Sequence, residues 1–571
     1  MSSPKYTITI LGGGISGLSS AWHFSKQLAK ATSKELKDAS IVLIEASDSF
    51  GGWMDTSRKT LSDGTRVVYE KGPRTLRAGP GRDCKAVIEM IDDLGIQDKV
   101  VFASKTSPAA LNKFIYYDGQ LHLMPTKPQD IVKRFPAPMR CAPLGLLQDL
   151  LWPRNTPKDK SDESVHSLVS RRFGAAVDDN LVSAGMVGIH AADSKLLSSR
   201  GVMNILWQSD RMTGSAVLGM GKVNQKREQR LTERARKAYQ VDEEDWKKRV
   251  AEATSESSED LNRKAFFEKF QNSSVYSFKG GMKTLVDSLV SNLEKDPRIT
   301  LLKAKRCQNL NYNDGGVFDI ALDDGQVLKS DYIVSAIPTY QLNSILENSS
   351  SNLVLPEFIT ELPYTDVAVV GMTFKNKDII ENPGFGFLVP RSAWGELKAL
   401  GVVFDSCSLP EIDDGQNICR ISVMLGGTNF ESRLGSDVDT VSESTLAAAA
   451  IETIRTALGI NEEPLDIKIN INKKCIPTYK VGYIDMLEDL DKWLASNFDG
   501  KLSVVGSAYG GPAVPMCILH SKDLAAEWIQ ALQGTAAVSE ETSGNANHES
   551  SQTAPAGARI VTGLKDILTQ Y

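Results

Sequence analysis

The feature that most constrains this fold is a glycine-rich turn close to the amino terminus. An apolar stretch, residues 6–11, runs directly into a Gly-x-Gly-x-x-Gly motif at residues 12–17, and a helix-prone stretch follows. Such a turn fits a pyrophosphate, because glycines permit a tight turn, close approach of phosphate to the backbone, and close packing of helix on strand. A second apolar stretch, residues 41–44, ends in Glu45, which is placed to accept a hydrogen bond from a ribose hydroxyl. We therefore predict a dinucleotide-binding unit; the alternative is a glycine turn with a purely structural role.

The composition of the 571-residue chain is that of an ordinary globular protein. Hydrophobic residues make up 41% and charged residues 24% of the sequence, and the length allows several domains of roughly 100–200 residues each. The net charge of −6 argues against nucleic acid as the main partner, because phosphate binding needs concentrated positive charge. The seven cysteines and six histidines form no close-spaced pair or cluster, so we expect free thiols and no metal site. No run of about 18 apolar residues occurs, so we expect no transmembrane helix.

Three further glycine turns indicate which dinucleotide is bound. They are Gly51-Gly52-Trp53, Gly72-Pro73-Arg74, and a strand, turn and helix start at residues 502–515. A simple NAD dehydrogenase has no obvious use for them, and a second Gly-x-Gly-x-x-Gly motif is absent. In flavoproteins of the amine oxidase superfamily the corresponding turns close on FAD, and a helix N-terminus after the last turn would stabilise negative charge on a reduced flavin ring. Taken alone, the last segment could also be an ordinary strand-turn-helix unit.

Longer segments resemble the protoporphyrinogen oxidase family, the FAD enzymes of haem and chlorophyll synthesis within that superfamily. The segments that carry the resemblance are residues 276–285, 331–338, 384–390, 400–406 and 475–479. The most distinctive is the pair Gly-Phe-Gly-Phe-Leu-Val-Pro at 384–390 and Leu-Gly-Val-Val-Phe-Asp-Ser at 400–406. The resemblance extends from Tyr6 to about Gln533, with an unmatched charged insertion in the middle.

The resemblance implies an α/β (α+β) fold with three kinds of domain. These are a Rossmann-like FAD-binding domain of discontinuous segments, a mixed-sheet substrate-binding domain, and a mostly helical, membrane-associated domain. The first and last strands of the FAD-binding domain must then meet in one sheet. The predicted boundaries are 1–104, 275–340 and 475–533 for the FAD-binding domain, 105–215 for the helical domain, 216–274 for a charged helical insertion, 341–474 for the substrate-binding domain, 534–557 for a flexible linker, and 558–571 for a C-terminal segment able to form a short helix.

The activity implied by the resemblance is the oxidation of protoporphyrinogen IX to protoporphyrin IX. Six electrons would leave in three two-electron steps, with molecular oxygen as the final acceptor and hydrogen peroxide as the second product. Because FAD carries the chemistry, no set of catalytic side chains is expected, and the sequence contains none that we would name. Residues 509–511 hold no cysteine where covalent amine oxidases have theirs, so we expect noncovalent FAD. The alternatives are another superfamily enzyme, such as an amine oxidase or a carotenoid desaturase, and a flavin or porphyrin carrier without turnover.

Candidate site residues follow from the same motifs. The expected FAD contacts are Gly12, Gly13, Gly14, Ile15, Ser16 and Gly17 at the phosphates, Glu45 and Ala46 at the ribose, Cys307 near the adenosine, Trp53, Gly72, Pro73, Arg74 and Thr75 at the inner turns, and Pro512, Ala513 and Val514 near the ring. The expected substrate contacts are Arg74, Lys113, Leu388, Val403 and Met424. Lys113 stands where the family has arginine, so its charge is kept but a bidentate pairing with a propionate is lost. By residue type alone, the three apolar residues could equally be core positions.

Two segments predict contact with a membrane surface. Residues 136–152 are rich in Pro, Leu and Trp and have basic neighbours, so they predict a helix that either lies in a membrane interface or is buried against the protein. The resemblance favours the first, as a monotopic protein of the mitochondrial inner membrane. Residues 222–237 contain seven basic and two acidic residues, which form either a solvated helix face or a contact for anionic lipid. The resemblance also implies a homodimer and contact with the haem-synthesis enzyme that inserts iron.

Overall fold

The three-dimensional structure is a computed structural model of the chain. It describes residues 6–133, 135–151, 161–230, 233–255, 260–349, 353–413, 415–542, 561–568 and 571. Over these residues the predicted α/β architecture with mixed sheets is confirmed.

The strands of the described residues are arranged in five sheets. They are β1 (Thr7–Leu11), β2 (Ser40–Ile44), β3 (Thr56–Thr60), β4 (Arg66–Glu70), β5 (Leu76–Arg77), β6 (Val100–Ser104), β7 (Lys113–Tyr117), β8 (Gln120–Leu123), β9 (Ser273–Phe278), β10 (Ile299–Leu302), β11 (Cys307–Tyr312), β12 (Phe318–Leu322), β13 (Val327–Ser330), β14 (Tyr332–Ser335), β15 (Tyr364–Phe374), β16 (Gly386–Leu388), β17 (Ala399–Val403), β18 (Cys419–Gly427), β19 (Asp466–Pro477) and β20 (Leu502–Val504).

Helices surround these sheets. They are α1 (Ile15–Lys30), α2 (Lys34–Lys37), α3 (Arg82–Leu94), α4 (Pro108–Leu111), α5 (Pro128–Lys133), α6 (Ala142–Leu151), α7 (Val165–Phe173), α8 (Ala175–Val177), α9 (Ser183–His190), α10 (Ser199–Val202), α11 (Asn204–Thr213), α12 (Met220–Arg230), α13 (Glu233–Thr254), α14 (Leu261–Gln271), α15 (Lys283–Leu293), α16 (Thr339–Glu347), α17 (Glu357–Glu361), α18 (Asp405–Ser408), α19 (Phe430–Leu434), α20 (Glu443–Leu458), α21 (Tyr483–Phe498), α22 (Val514–Thr542) and α23 (Lys565–Leu568). A π-helical turn spans Asp178–Val182, and 3₁₀ turns span Gln97–Lys99, Ala137–Met139, Arg391–Ala393 and Pro410–Asp413.

A five-stranded parallel sheet forms the first structural centre, in the order β10-β2-β1-β14-β20. β1, β14 and β20 are buried along nearly their whole length on both faces, as is typical of strands in a parallel sheet, whereas β10 at the edge is partly exposed. Helices α1 and α22 pack together beside it, with the rings of Phe24 and Trp528 5.3 Å apart between centroids. The prediction that the first and last strands meet in one sheet is confirmed, with β14 between them.

A seven-stranded mixed sheet forms the second centre, in the order β19-β15-β18-β17-β16-β7-β8. One face is covered by α20 and forms an apolar core that includes Val370, Val423 and Leu446. Two of its strands, β7 and β8, come from residues that the sequence assigned to the helical domain. That assignment is wrong for residues 113–123, because β7 pairs in parallel with β16 and completes the sheet.

Ion pairs hold the charged insertion against α3. Arg82 contacts Asp242 at 2.5 Å, and Arg249 and Arg263 both reach the buried carboxylate of Asp92, at 2.5 and 2.9 Å. Asp242, Arg249 and Arg263 of the insertion therefore face α3. The prediction that this insertion is helical is confirmed for the described residues of α12, α13 and α14.

The C-terminal region differs in part from the prediction. Helix α22 continues to Thr542, so the prediction of a flexible linker is wrong for residues 534–542. Residues 543–560, which include the rest of that linker, lie outside the described residues. The short terminal helix predicted within 558–571 is confirmed as α23.

Candidate active site

The first glycine turn has the geometry of a phosphate cradle. Gly12 has a φ of +100°, and a Cβ on Gly17 would collide with the Gly12 carbonyl, so both positions require glycine. A Cβ on Gly14 would meet nothing within 4 Å, which leaves open space beside the start of α1. No side chain caps that helix start, so the first backbone N–H groups are available to an anion.

The acidic end of β2 lies beside this turn. The Glu45 carboxylate accepts hydrogen bonds of 2.7 Å from the backbone N–H groups of Gly13 and Ser47, which fix its orientation. A cavity of about 890 Å³ opens here. Four predicted contacts line it together, namely Gly12, Glu45, Ala46 and Cys307. Sequence reasoning missed its other polar lining residues, which include Lys305, Asn309, Tyr340 and Gln341.

The inner turns stack directly on the first one. The Gly51 N–H donates to the Gly13 carbonyl at 2.9 Å, and a Cβ on Gly52 would lie 3.4 Å from the Cα of Gly14. Gly72 is held close to the backbone of Trp53, whose ring lies 5.5 Å from the Lys71 Nζ. Pro73, Arg74 and Thr75 follow Gly72 and are partly exposed.

The last glycine turn returns to the start of α1. A Cβ on Gly506 would lie 3.5 Å from the Ser16 Oγ, and the Ser521 hydroxyl on α22 donates to the Ser16 carbonyl at 2.9 Å. The turn thereby delivers Pro512, Ala513 and Val514 to the first turn of α22, with Ala513 exposed and Val514 buried. Burial raises the pKa of the nearby Cys517 thiol to about 11, so this cysteine is a poor nucleophile at neutral pH.

The free face of the seven-stranded sheet gathers the predicted substrate residues. Pairing sets Lys113, Gly386, Val403, Ser422 and Gly371 side by side in one row across five strands. Residues that pair directly across strands share a face, so these side chains all point away from the α20 core.

The next row lies two residues along each strand. It contains Ile115, Leu388, Gly401, Met424 and Val369. The four predicted residues Lys113, Leu388, Val403 and Met424 therefore occupy two adjacent rows of one face. Lys113 is exposed, whereas Val403 is 8% exposed.

Two elements approach this face from above. A Cβ on Gly188 of α9 would lie 2.8 Å from Leu388, and a Cβ on Gly371 would lie 2.5 Å from the ring of Tyr69 on β4. The face is thus a wall between α9 and the hairpin that leads into the inner turn.

Arg74 connects the inner turn to that wall. Its guanidinium lies 3.4 Å from the Asp405 carboxylate, which in turn accepts a hydrogen bond of 2.7 Å from Ser422 in the first row. Both charged side chains are about nine-tenths buried. Asp405 was not predicted, although it lies in the distinctive 400–406 segment.

The Glu70 carboxylate, at the end of β4, holds the hairpin that leads into the same turn. Its carboxylate accepts hydrogen bonds from Thr56 at 2.7 Å and from the Met282 N–H at 2.9 Å. Burial raises the pKa of Glu70 to about 7. The sequence signal for this residue is an acidic side chain at the end of an apolar strand, two residues before Gly72.

One group of side chains has the spacing of a metal site. His166, Asp178 and Asp179 come within 4.8 Å of one another among the described residues. The guanidinium of Arg391 already lies among them, at 2.6 Å from Asp178 and 2.7 Å from Asp179. An arginine supplies the positive charge in this cluster.

Comparison with known proteins identifies the family. The family model of flavin containing amine oxidoreductases matches residues 15–527. The chain belongs to this family.

Several of the proteins that this chain is similar to are named protoporphyrinogen oxidase. That of Schizosaccharomyces pombe is 30% identical over 526 residues, covering 91% of this chain and 98% of the relative. That of Bos taurus is 30% identical over 522 residues, with the same shares. A crystal structure of a candidate protoporphyrinogen oxidase from Exiguobacterium sp. 255-15 matches with a TM-score of 0.67 at 20% identity, covering 93% of this chain and 99% of that one, and supports the fold. The predicted resemblance is confirmed.

This family member is an FAD-dependent oxidoreductase. The geometry fits the cofactor. Gly14 leaves open space for a phosphate, and the start of α1 has no side-chain cap. A cavity beside Glu45 offers room for the adenosine end. The individual contacts and the noncovalent attachment stay predictions.

Two glycine substitutions separate cofactor binding from folding. We expect Gly14→Ala to leave the stability of the apoprotein unchanged, because its Cβ meets no protein atom and its φ is −70°. It should raise the Kd for FAD at least about tenfold, because the methyl group occupies the space that the phosphate needs. Gly17→Ala should instead lower the Tm of the apoprotein, since its Cβ collides with the Gly12 carbonyl. FAD titration and thermal unfolding measure both; equal FAD affinity in Gly14→Ala and wild type would contradict the assignment.

Proposed function

We propose that this flavoenzyme oxidises protoporphyrinogen IX to protoporphyrin IX, with three molecules of oxygen reduced to three of hydrogen peroxide. The observation that carries the proposal is the two-row face of the seven-stranded sheet beside the inner turns, on a chain related to protoporphyrinogen oxidases along nine-tenths of its length. FAD, when bound, would accept one hydride, which carries two electrons, in each of three oxidations. The protein has to bind, orient and shield the macrocycle.

The wall suits a large flat substrate. Leu388 and Met424 offer apolar contact in the second row, while Gly386, Gly401 and Gly371 are buried at positions where a Cβ would collide with a neighbouring atom. Helix α9 packs close to the wall at Gly188, so it would help to exclude water from a bound ring.

Two cations are suited to the two propionates. Lys113 is exposed at the end of the first row, and Arg74 stands at the inner turn. Because Asp405 already lies 3.4 Å from Arg74 and shares its charge, we propose that Lys113 is the main propionate contact and that Arg74 mainly orients the inner turn.

An assay with two porphyrinogens tests the function. We expect protoporphyrinogen IX to decrease flavin absorbance without oxygen and to give porphyrin fluorescence with oxygen. Coproporphyrinogen III, which carries four propionates, should react with a kcat/KM at least about tenfold lower, because the apolar rows would have to bury two more charged groups. Porphyrin formation no faster than autoxidation would refute the proposal. Flavin reduction by an amine alone would favour an amine oxidase, and porphyrinogen binding without reduction a carrier.

A lysine substitution tests the propionate contact. We expect Lys113→Ala to raise KM about tenfold while kcat changes less than about twofold, because a charge pair far from the reacting carbon supplies uniform binding. Lys113→Arg should keep or lower KM, since a guanidinium can pair with a carboxylate through two hydrogen bonds. Lys127→Ala, on an exposed turn, is the surface control. An unchanged KM in Lys113→Ala would exclude this role.

A second part of the proposal concerns a membrane surface. Helix α6 is only partly buried, because Leu144, Leu147 and Leu151 are 73%, 50% and 63% exposed. They recur at the spacing of one helix face. The opposite face holds the helix to the protein, through the close contact of Gly145 with Phe173.

The apolar surface continues beyond α6. The buried Asp149 of α6 accepts hydrogen bonds from Ser215 at 2.6 Å and from the Ala216 N–H at 2.9 Å. This brings Leu218, which is 63% exposed, next to α6, and the exposed Lys222 and Lys226 follow on α12. Leucines beside lysines suit an interface with anionic lipid. Of the other basic side chains in residues 222–237, only that of Arg236 belongs to the part that the structure describes.

No helix among the described residues has the length and hydropathy needed to span a bilayer. We propose peripheral attachment through α6 and the 215–226 segment, at the mitochondrial inner membrane that the family resemblance implies. The homodimer and the contact with the iron-inserting enzyme stay predictions.

Vesicle flotation tests the membrane surface. We expect Leu144→Gln/Leu151→Gln to lower the vesicle-bound fraction at least about tenfold, because each leucine buried in lipid contributes about 1.5–3 kcal/mol. Leu261→Gln is the matched control, since this leucine is 74% exposed on α14. Binding should be stronger on anionic than on neutral vesicles and should weaken with salt. Flotation of the double variant equal to that of wild type would contradict the proposal.

A further inference from the structure

The C-terminal segment 561–568 covers one edge of the five-stranded parallel sheet. Strand β20 is the last strand in the order of that sheet, so one side of it has no strand partner among the described residues. The Val504 N–H donates to the Thr562 carbonyl at 3.1 Å, and the Ser503 hydroxyl donates to the Val561 carbonyl at 2.8 Å. A chain end thereby satisfies groups that an open sheet edge would expose.

Gly563 fixes how this segment turns. Its φ is +83°, and a Cβ there would lie 2.5 Å from the Val504 carbonyl oxygen. Its own carbonyl lies 2.7 Å from the Nε2 of His520 on α22. Burial lowers the pKa of His520 to about 4, so the neutral ring donates its single N–H from Nε2 to Gly563.

The same segment contacts the last glycine turn. A Cβ on Gly510 would lie 3.3 Å from the Ile567 Cδ1 and 3.5 Å from the His520 Nδ1. Leu564 and Ile567 are buried in one apolar cluster with Tyr509. The turn that leads into Val514 therefore packs against side chains of the C-terminal segment.

Residues of the C-terminal segment also contact the helices α21 and α11. The Thr562 hydroxyl donates to Asp491 on α21, and the Tyr571 carbonyl accepts a hydrogen bond of 2.9 Å from Gln208 on α11. The described residues of the segment therefore contact α21 and, at Tyr571, the helical region that precedes the charged insertion.

We propose that residues 561–568 are a positioning segment for FAD, which holds the turn at 506–514 in the conformation that binds the flavin ring. This inference rests on the proposed assignment of that turn as a ring contact. Because FAD and the docked segment stabilise the same conformation of the turn, each should strengthen the binding of the other.

A matched pair of glycine variants tests this proposal in the full chain. We expect Gly563→Val to detach the segment and raise the Kd for FAD at least about tenfold. Gly325→Val is the control, because Gly325 has a φ of +85° in the β12–β13 turn and a Cβ there meets nothing within 4 Å. Its Kd should stay within about twofold of wild type. Hydrogen exchange at residues 561–568 reports detachment.

A second variant removes only the contact with the turn. Ile567→Ala should keep the slow exchange of the Val504 N–H, which donates to the Thr562 carbonyl, yet raise the Kd for FAD about fivefold. Free exchange of the segment in Gly563→Val together with an unchanged Kd would overturn the proposal. FAD binding is measured without porphyrinogen, so a failure of the proposed oxidation would leave this result interpretable.

Discussion

Parallel pairing of five strands is the constraint on which the rest of the structure depends. The carboxyl ends of parallel strands lie at one edge of a sheet, so the segments that follow them are gathered there. The first glycine turn follows β1, Glu45 follows β2, and the last glycine turn follows β20. Glycine then lets these segments touch one another, as Gly51 touches Gly13 and Gly506 approaches Ser16. A cofactor as long as FAD can be held by backbone from opposite ends of the chain only because this edge exists.

Buried polar side chains connect the inner turn to the seven-stranded sheet. Glu70 fixes the hairpin that ends at the inner turn, and Arg74 of that turn is paired with Asp405, which follows β17. Charges taken out of water need such partners, and removing one partner costs more than the pair contributes. The relative position of turn and wall therefore depends on a few side chains that make no use of the cofactor's chemistry. The terminal segment has a comparable effect at the other end of the site, through Gly563 and Ile567.

Much of the site could be predicted because its requirements are local. Gly12 and Gly17 are dictated by backbone sterics within six residues, Gly14 is expected from the space that a phosphate needs, and the family motifs extended the prediction to Leu388, Val403 and Met424. The origin of β7 could not be predicted, because a short strand shows its partner only when the sheet is assembled. The exposure of α6 could not be predicted either, because an apolar helix has the same sequence whether it faces a core or a lipid surface. Asp405 and His520 were missed because their partners lie far away in the sequence.

The sequence by itself determined the cofactor class, the family and the residue types of the site, since these depend on short motifs whose physics is local. Only the tertiary structure decided which of those residues share a surface. Strand register placed Lys113 beside Val403, the exposed face of α6 left its leucines in solvent, and the sheet edge at β20 received the chain terminus. These outcomes depend on contacts between residues hundreds of positions apart, and hydrophobic burial and hydrogen-bond satisfaction select among such contacts only when the whole chain is folded.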